Sequence, residues 1–284
     1  MKFICYNFLP VFADYIFDLP IDRYNEYGIT PLHNYRQFDL NKFKKGDKIF
    51  VKTDLLDQFF IYIYPKITSK FYLITGVSDY EIDNRYLKYI NDEKIIKWIG
   101  VNISIQNHPK VYKFLIGFSE PDRCRNGTAS GISGDQELLF ESYKNRKNFN
   151  DKINKIFISY FGDTHLSRDN INKVFANSQI ADFGQKMNFD KYLEKINDYK
   201  FILCPRGNGL DTHRFCETLL MGSIPIIEKN GLSDLLEKFP CIIVNNFSEI
   251  TLEMINEFKF DLNKYNFFET YLFIEKINLQ FLKD

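Results

Sequence analysis

Between Phe201 and Ile227 the sequence reads FILCPRGNGLDTHRFCETLLMGSIPII, and its residue types suit an anion site. Apolar 201–204 predicts a buried strand. Pro205 ends its ladder, having no N–H to donate. The loop is Arg206, Gly207, Asn208 and Gly209. Its two glycines permit positive φ and let backbone amides approach a ligand. Asp211 or Thr212 can cap the helix predicted over 212–221. The first amides of that helix carry partial positive charge, which favours phosphate. Arg206, on the loop, and Arg214, in the first turn, can add bidentate contacts to phosphate oxygens. His213 can reach phosphate or sugar, or can stand in solvent. Arg214 and Glu217 are three residues apart and share one helix face, while Phe215, Leu219 and Leu220 turn to the core. A carboxylate one turn from a phosphate can accept two hydrogen bonds from a ribose diol. Taken singly, the Arg–Glu pair reads better as an ordinary helix-surface ion pair, and RGNG as an ordinary turn. Two arginines, two glycines, a cap and a carboxylate between two buried strands together mark a ligand site. A second loop, Gly162-Asp-Thr-His-Leu-Ser-Arg168, offers Gly162 and Arg168 to close over the same phosphates, or serves only as a strand-to-helix connection.

The elements that must position these loops alternate between short apolar runs and helical patterns, which predicts an α/β fold. Strands are predicted at 2–6, 48–52, 71–75, 95–99 and 111–116, with helices at 55–64, 85–91 and 137–143. The Gly-, Ser- and Asn-rich stretch 120–134 reads as a long loop carrying Arg123 and Arg125. A charged run at 144–155 places the domain boundary, giving domains 1–148 and 149–284. After it the pattern restarts. Strands are predicted at 155–160, 180–183, 201–204, 224–227 and 241–244. Helices are predicted at 168–176, 189–199, 212–221, 233–239, 248–258 and 263–282, the last able to return to the first domain. The expected architecture is two Rossmann-like domains facing across a cleft, with ligands beyond the carboxyl ends of the strands.

Composition narrows the function classes. Lysine plus arginine equals aspartate plus glutamate at 37 each, which argues against a nucleic-acid partner. Five widely spaced cysteines without a CxxC suggest neither a disulfide framework nor a zinc site. They fit a reducing, cytoplasmic setting. The apolar opening MKFICYNFLPVFADYIFDLP contains Asp14 and Asp18 and predicts a core strand and loop rather than a signal peptide. No stretch is long enough for a membrane span.

The run Cys204-Pro205-x-Gly207, then Arg214-x-x-Glu217, Gly222-x-Ile224-Pro225-x-Ile227, resembles the nucleotide-sugar domain of the exostosin-type glycosyltransferases. The resemblance is strongest over 200–228 and extends more weakly to 155–168; the chain is closest to compact microbial or viral members. It implies a GT-B fold and an inverting transfer of sugar from a UDP- or GDP-linked donor to a glycan acceptor. It also implies no essential metal or other cofactor, in keeping with the lack of an Asp-x-Asp. An inverting transfer needs a base for the acceptor hydroxyl. Asp54 and Asp79 each follow a predicted strand and are the candidates, Asp79 being preferred; each could instead cap a helix. His33 and His108 carry less weight, and Trp98 reads as core. Two other readings compete. A dinucleotide oxidoreductase is disfavoured because Thr212 stands where GxGxxG needs its last glycine. A non-catalytic nucleotide- or carbohydrate-binding protein would keep the loop and lack the base.

Overall fold

The computed structural model describes residues 3–4, 8–18, 43–119 and 135–271. The chain forms two compact units, Tyr6–Ile116 with Leu279–Asp284, and Gly117–Asn278 with Met1–Cys5. The division falls at Ile116/Gly117, ahead of the boundary read from the charged run at 148. The helix Gln136–Lys144 therefore belongs to the second unit, where it packs on the helix Phe189–Asp198. Each unit is built on a five-stranded parallel sheet with helices, an α/β construction of Rossmann-like type.

In the first unit β1 (Tyr15–Phe17), β2 (Lys48–Lys52), β3 (Phe71–Gly76), β4 (Ile95–Val101) and β5 (Val111–Phe114) lie side by side in chain order. Parallel strands are covered on both faces and so read as continuous apolar runs. All six residues of β3 are buried. Trp98 on β4 is fully buried and donates from Nε1 to Thr75 Oγ1 at 2.9 Å. Its role is core, as its apolar surroundings predict.

The helix expected at 55–64 is instead a run of tight and wide turns: Thr53–Leu55 (3-10), Leu56–Gln58 (α), Phe59–Ile63 (π) and Tyr64–Lys66 (3-10). The wide turn, closed by Tyr64 N–H to Phe59 O, accompanies heavy aromatic packing. Phe60 stacks on Tyr89 at 3.7 Å, and Phe59 meets Phe71. Pro65, with no N–H, sits in the last turn. β1 has no counterpart among the predicted strands. Three residues are too few to show a period, and it is held by its ladder to β2 and by Asp14, which accepts from Lys48 N at 2.9 Å.

In the second unit the strands are β6 (Ile153–Ile158), β7 (Ala181–Phe183), β8 (Tyr199–Leu203), β9 (Ile224–Glu228) and β10 (Ile242–Val244), ordered β10-β9-β8-β6-β7. Tyr199, expected to end a helix, begins β8. The helix expected at 168–176 is split into Leu166–Arg168 and Ile171–Phe175. That at 248–258 is split where Thr251 caps a new start, its Oγ1 accepting from Met254 N at 3.2 Å. The helix His213–Leu220 ends as its glycine predicts. Gly222 takes φ +69, with Gly222 N–H to Leu219 O at 2.9 Å and Ser223 N–H to Thr218 O at 3.1 Å. This is a Schellman closure. The final helix is described over Leu262–Tyr271. Its expected continuation to 282 and return to the first domain lie outside the described residues, as do most of the strand at 2–6, His33 and the loop at 121–134.

Candidate functional site

Strand order locates the crevice. From β6 the chain passes to β7 on one side, then crosses to β8 on the other. The loops leaving β6 and β8 therefore diverge at the sheet's carboxyl edge, where ligands of open α/β sheets bind. These are the two loops the sequence singled out. Arg168 joins them. It is 9% exposed and donates from Nε to Arg206 O at 2.8 Å, from Nη1 to Gly162 O at 2.7 Å and from Nη2 to Pro205 O at 3.3 Å. Burial, then the neighbouring Arg214 charge, lowers its pKa to about 10. Arg214 crosses the same gap, donating from Nη2 to Tyr160 O at 3.0 Å.

Beneath this, Glu217, Arg214 and Tyr192 lie close together. Glu217 is 2% exposed, and neither its Oε1 nor Arg214 Nε finds a hydrogen-bond partner, in the other or elsewhere, among the described residues. Glu217 Oε1, Arg214 Nε, Tyr192 Oη, Thr212 Oγ1 and Ser159 Oγ are all buried without a hydrogen-bond partner. Burial pushes the Glu217 carboxyl up to about 7, against the opposing pull of Arg214 and of the nearby Tyr192 hydroxyl. Tyr192 is close enough to act on the carboxylate, yet distance and angle make no bond between them. Burial likewise pushes the Cys204 thiol up to about 12, which favours its protonated form. Each buried polar atom left unmatched costs about 1–3 kcal/mol. Three of these atoms are carried by 212–217, so the start of this helix holds hydrogen-bonding capacity that the described residues do not fill. The surface ion pair allowed by the sequence is not what the structure contains.

The remaining loop residues take several roles. Arg206 folds back on its own loop, with Nε 3.2 Å from Gly209 O and Nη2 3.2 Å from Asn208 O. In this arrangement it and Arg168 hold carbonyls, leaving Arg214 as the guanidinium with an unmatched buried nitrogen. Thr212 occupies the N-cap position, but its side chain makes no capping bond, and its hydroxyl is among the unmatched atoms. Asp211 is buried beside Thr212 in a small cleft that reaches Asn230. Asn230 Nδ2 donates to Leu210 O at 2.9 Å, which fixes the loop's exit. His213 is neither solvent-exposed nor a free phosphate ligand; its Nδ1 lies 2.8 Å from Gly117 O. Gly207 does not use positive φ, contrary to the reading from sequence; the described glycines that do are Gly46, Gly117 and Gly222. A Cβ on Gly207 would meet Arg168 Nη2 and Thr164 Oγ1 at 3.5 Å, an ordinary contact, so the space around it does not demand a glycine. A Cβ on Gly162 would meet nothing within 4 Å. Gly209 is buried and Asn208 exposed.

Compared with known proteins, the chain matches no protein-family model and no curated sequence. The site is therefore read from its own residues.

The base candidates lie in the first unit. Asp54 follows β2 inside the turn Thr53–Leu55 and pairs with Lys52 Nζ at 2.9 Å. Asp79 follows β3 in an exposed loop. Neither caps a helix; Asp83 does so for the turn Asn84–Tyr86, accepting from Arg85 N at 2.9 Å. The loop bearing Asp79 is stiffly built. Val77 and Asn102 both have φ 55, at the carboxyl ends of neighbouring strands, and Asn102 Nδ2 donates to Ser78 O at 2.9 Å. A β-branched residue at such a φ is an outlier that surrounding bonds must hold. His108 Nε2 lies 3.0 Å from Asn91 Oδ1, and burial lowers its pKa. Among the described residues, no three His, Cys, Asp or Glu are grouped as a metal site. No helix there is long and apolar enough to cross a membrane.

Sequence reasoning missed Tyr192 and Ser159. Tyr192 sits among the buried residues of the helix Phe189–Asp198, with Leu193 and Ile196, and so reads as core. Ser159 simply ends a strand. Only their unmatched buried hydroxyls reveal them.

Proposed function

We propose that this chain is a glycosyltransferase of GT-B type. It moves a sugar from a nucleotide-sugar donor to a hydroxyl of a glycan acceptor, with inversion and with no metal needed for the diphosphate. The observation that carries the reading is the Arg214–Glu217 pair. The two sit one turn apart and are not joined, and each holds an unmatched buried polar atom at the switch point of a parallel sheet. Arg214, with the first amides of its helix, binds the diphosphate. Glu217 accepts hydrogen bonds from the ribose. Arg168 and Arg206 position the two loops.

In the transfer the base removes the acceptor proton and the acceptor oxygen attacks the anomeric carbon. The anomeric C–O bond to phosphate breaks, and the nucleoside diphosphate leaves with the electron pair. Positive charge fixed in place before reaction stabilises that leaving group. Asp79 is the base in this reading. Asp79 stands just beyond the carboxyl end of β3, on a loop that Asn102 Nδ2 ties down through Ser78 O.

A thermal-shift panel of UDP-, GDP- and CMP-sugars tests the proposal. At a ligand concentration of about 100 Kd, binding adds about 2.7 kcal/mol, or a rise of roughly 5–10 °C for a unit of this size. One UDP- or GDP-linked donor gives the shift, and Arg214→Ala abolishes it. A shift that persists in Arg214→Ala and in Glu217→Gln refutes the pocket.

A further inference from the structure

Directly after the buried end of β6, two consecutive residues face opposite circumstances. Ser159 is 4% exposed with its hydroxyl unmatched, and Tyr160 is 54% exposed. The Tyr160 carbonyl is the acceptor that Arg214 reaches across the crevice at 3.0 Å, so its backbone is pinned at the crevice mouth. Lys186, from the connection after β7, places Nζ 6.0 Å from the Tyr160 ring centroid, within cation–π range.

The geometry points to Tyr160, with Lys186 beside it, as a stacking shelf for a flat ring attached to the anion that Arg214 binds. The inference rests on the donor-site reading and extends it to a contact that the loop at 205–217 does not supply. An aromatic face next to fixed positive charge suits a ring joined to phosphate. In a nucleotide-sugar the diphosphate carries the transferred sugar at one end and, through the ribose, the nucleobase at the other, and either of these can pack a face on a phenol.

The test is calorimetric titration of the full chain with pyrophosphate, UDP, GDP, UDP-glucose and GDP-mannose. Wild type, Arg214→Ala, Tyr160→Ala and Tyr160→Phe are compared. Stacking on one aromatic ring is worth about tenfold in affinity or more. Tyr160→Ala weakens nucleotide binding by about that factor, Tyr160→Phe retains it, and pyrophosphate binds all three Tyr160 forms alike. Loss with UDP or GDP identifies the base as the stacked ring. Loss confined to the sugar-linked probes identifies the sugar. Binding that depends on Arg214 but is indifferent to Tyr160→Ala overturns the shelf and leaves the donor site standing. A wild-type protein that binds no probe, or binds equally after Arg214→Ala, overturns both.

Discussion

Replacing Glu217 by glutamine tests the buried carboxyl most directly, because its effect changes with pH in a calculable way. Burial raises the Glu217 pKa from 4.5 to about 7 in the folded protein. Below pH 4.5 the carboxyl is protonated both folded and unfolded, and it contributes no difference. Between pH 4.5 and 7 the unfolded chain has released the proton while the folded chain keeps it. The folded state then binds more protons, so stability falls as pH rises. Each tenfold change in proton affinity is about 1.4 kcal/mol, and the accumulated penalty is about 3 kcal/mol by pH 7 and nearly constant above. An amide in place of the carboxyl carries no such penalty. Glu217→Gln therefore matches wild type near pH 4.5, gains on it steadily to pH 7, and stays about 3 kcal/mol ahead at pH 8. Urea unfolding followed by circular dichroism across pH 4.5–8 measures this. Trp98, the chain's one tryptophan, reports the other unit, so its fluorescence transition should not move. A stability difference that is flat with pH would refute the buried-carboxylate reasoning. The same variant should bind donor more weakly at pH 8, having exchanged an ionised acceptor for an amide; stability is gained where binding is lost.

Three further outcomes follow from particular residues. Gly222→Ala places a Cβ at φ +69 with no neighbour nearer than 3.7 Å. The cost is then backbone strain alone, about 1–2 kcal/mol, read by urea unfolding. Asp79→Asn should lower kcat for transfer by about a hundredfold or more while leaving the donor thermal shift intact; Asp54→Asn should lower it far less. If Asp54→Asn is the crippled variant, the base assignment is reversed. Trp98→Phe removes the bond to Thr75 Oγ1 and leaves that buried hydroxyl unmatched, at a cost of about 1–3 kcal/mol seen in the unfolding of the first unit.

Whatever acts within a turn or a strand's length was legible in the order of residues. The run KIFVK at Lys48–Lys52 forms the predicted strand, its three central apolar residues buried as a parallel strand covered on both faces requires. Gly222 ends its helix because only glycine takes that φ without strain. The strand–loop–helix order around 205–217 could be read for the same reason.

Long-range packing set the rest. Nothing local says that β8 lies beside β6 rather than β7, yet that order brings Arg168 under the carbonyls of Pro205 and Arg206. Thr212 reads as a cap from its neighbours, but its hydroxyl is buried without making the capping bond. The turns at 53–66 departed from a regular helix where Phe59, Phe60 and Tyr64 pack on distant aromatics. Glu217 and Arg214 share a helix face by spacing alone. The burial of the carboxyl, the failure of the pair to join and the raised carboxyl pKa come from the packing of helix Phe189–Asp198 and β8 around them. Dielectric surroundings and strand order depend on contacts between residues far apart in the chain, and no window of sequence carries them.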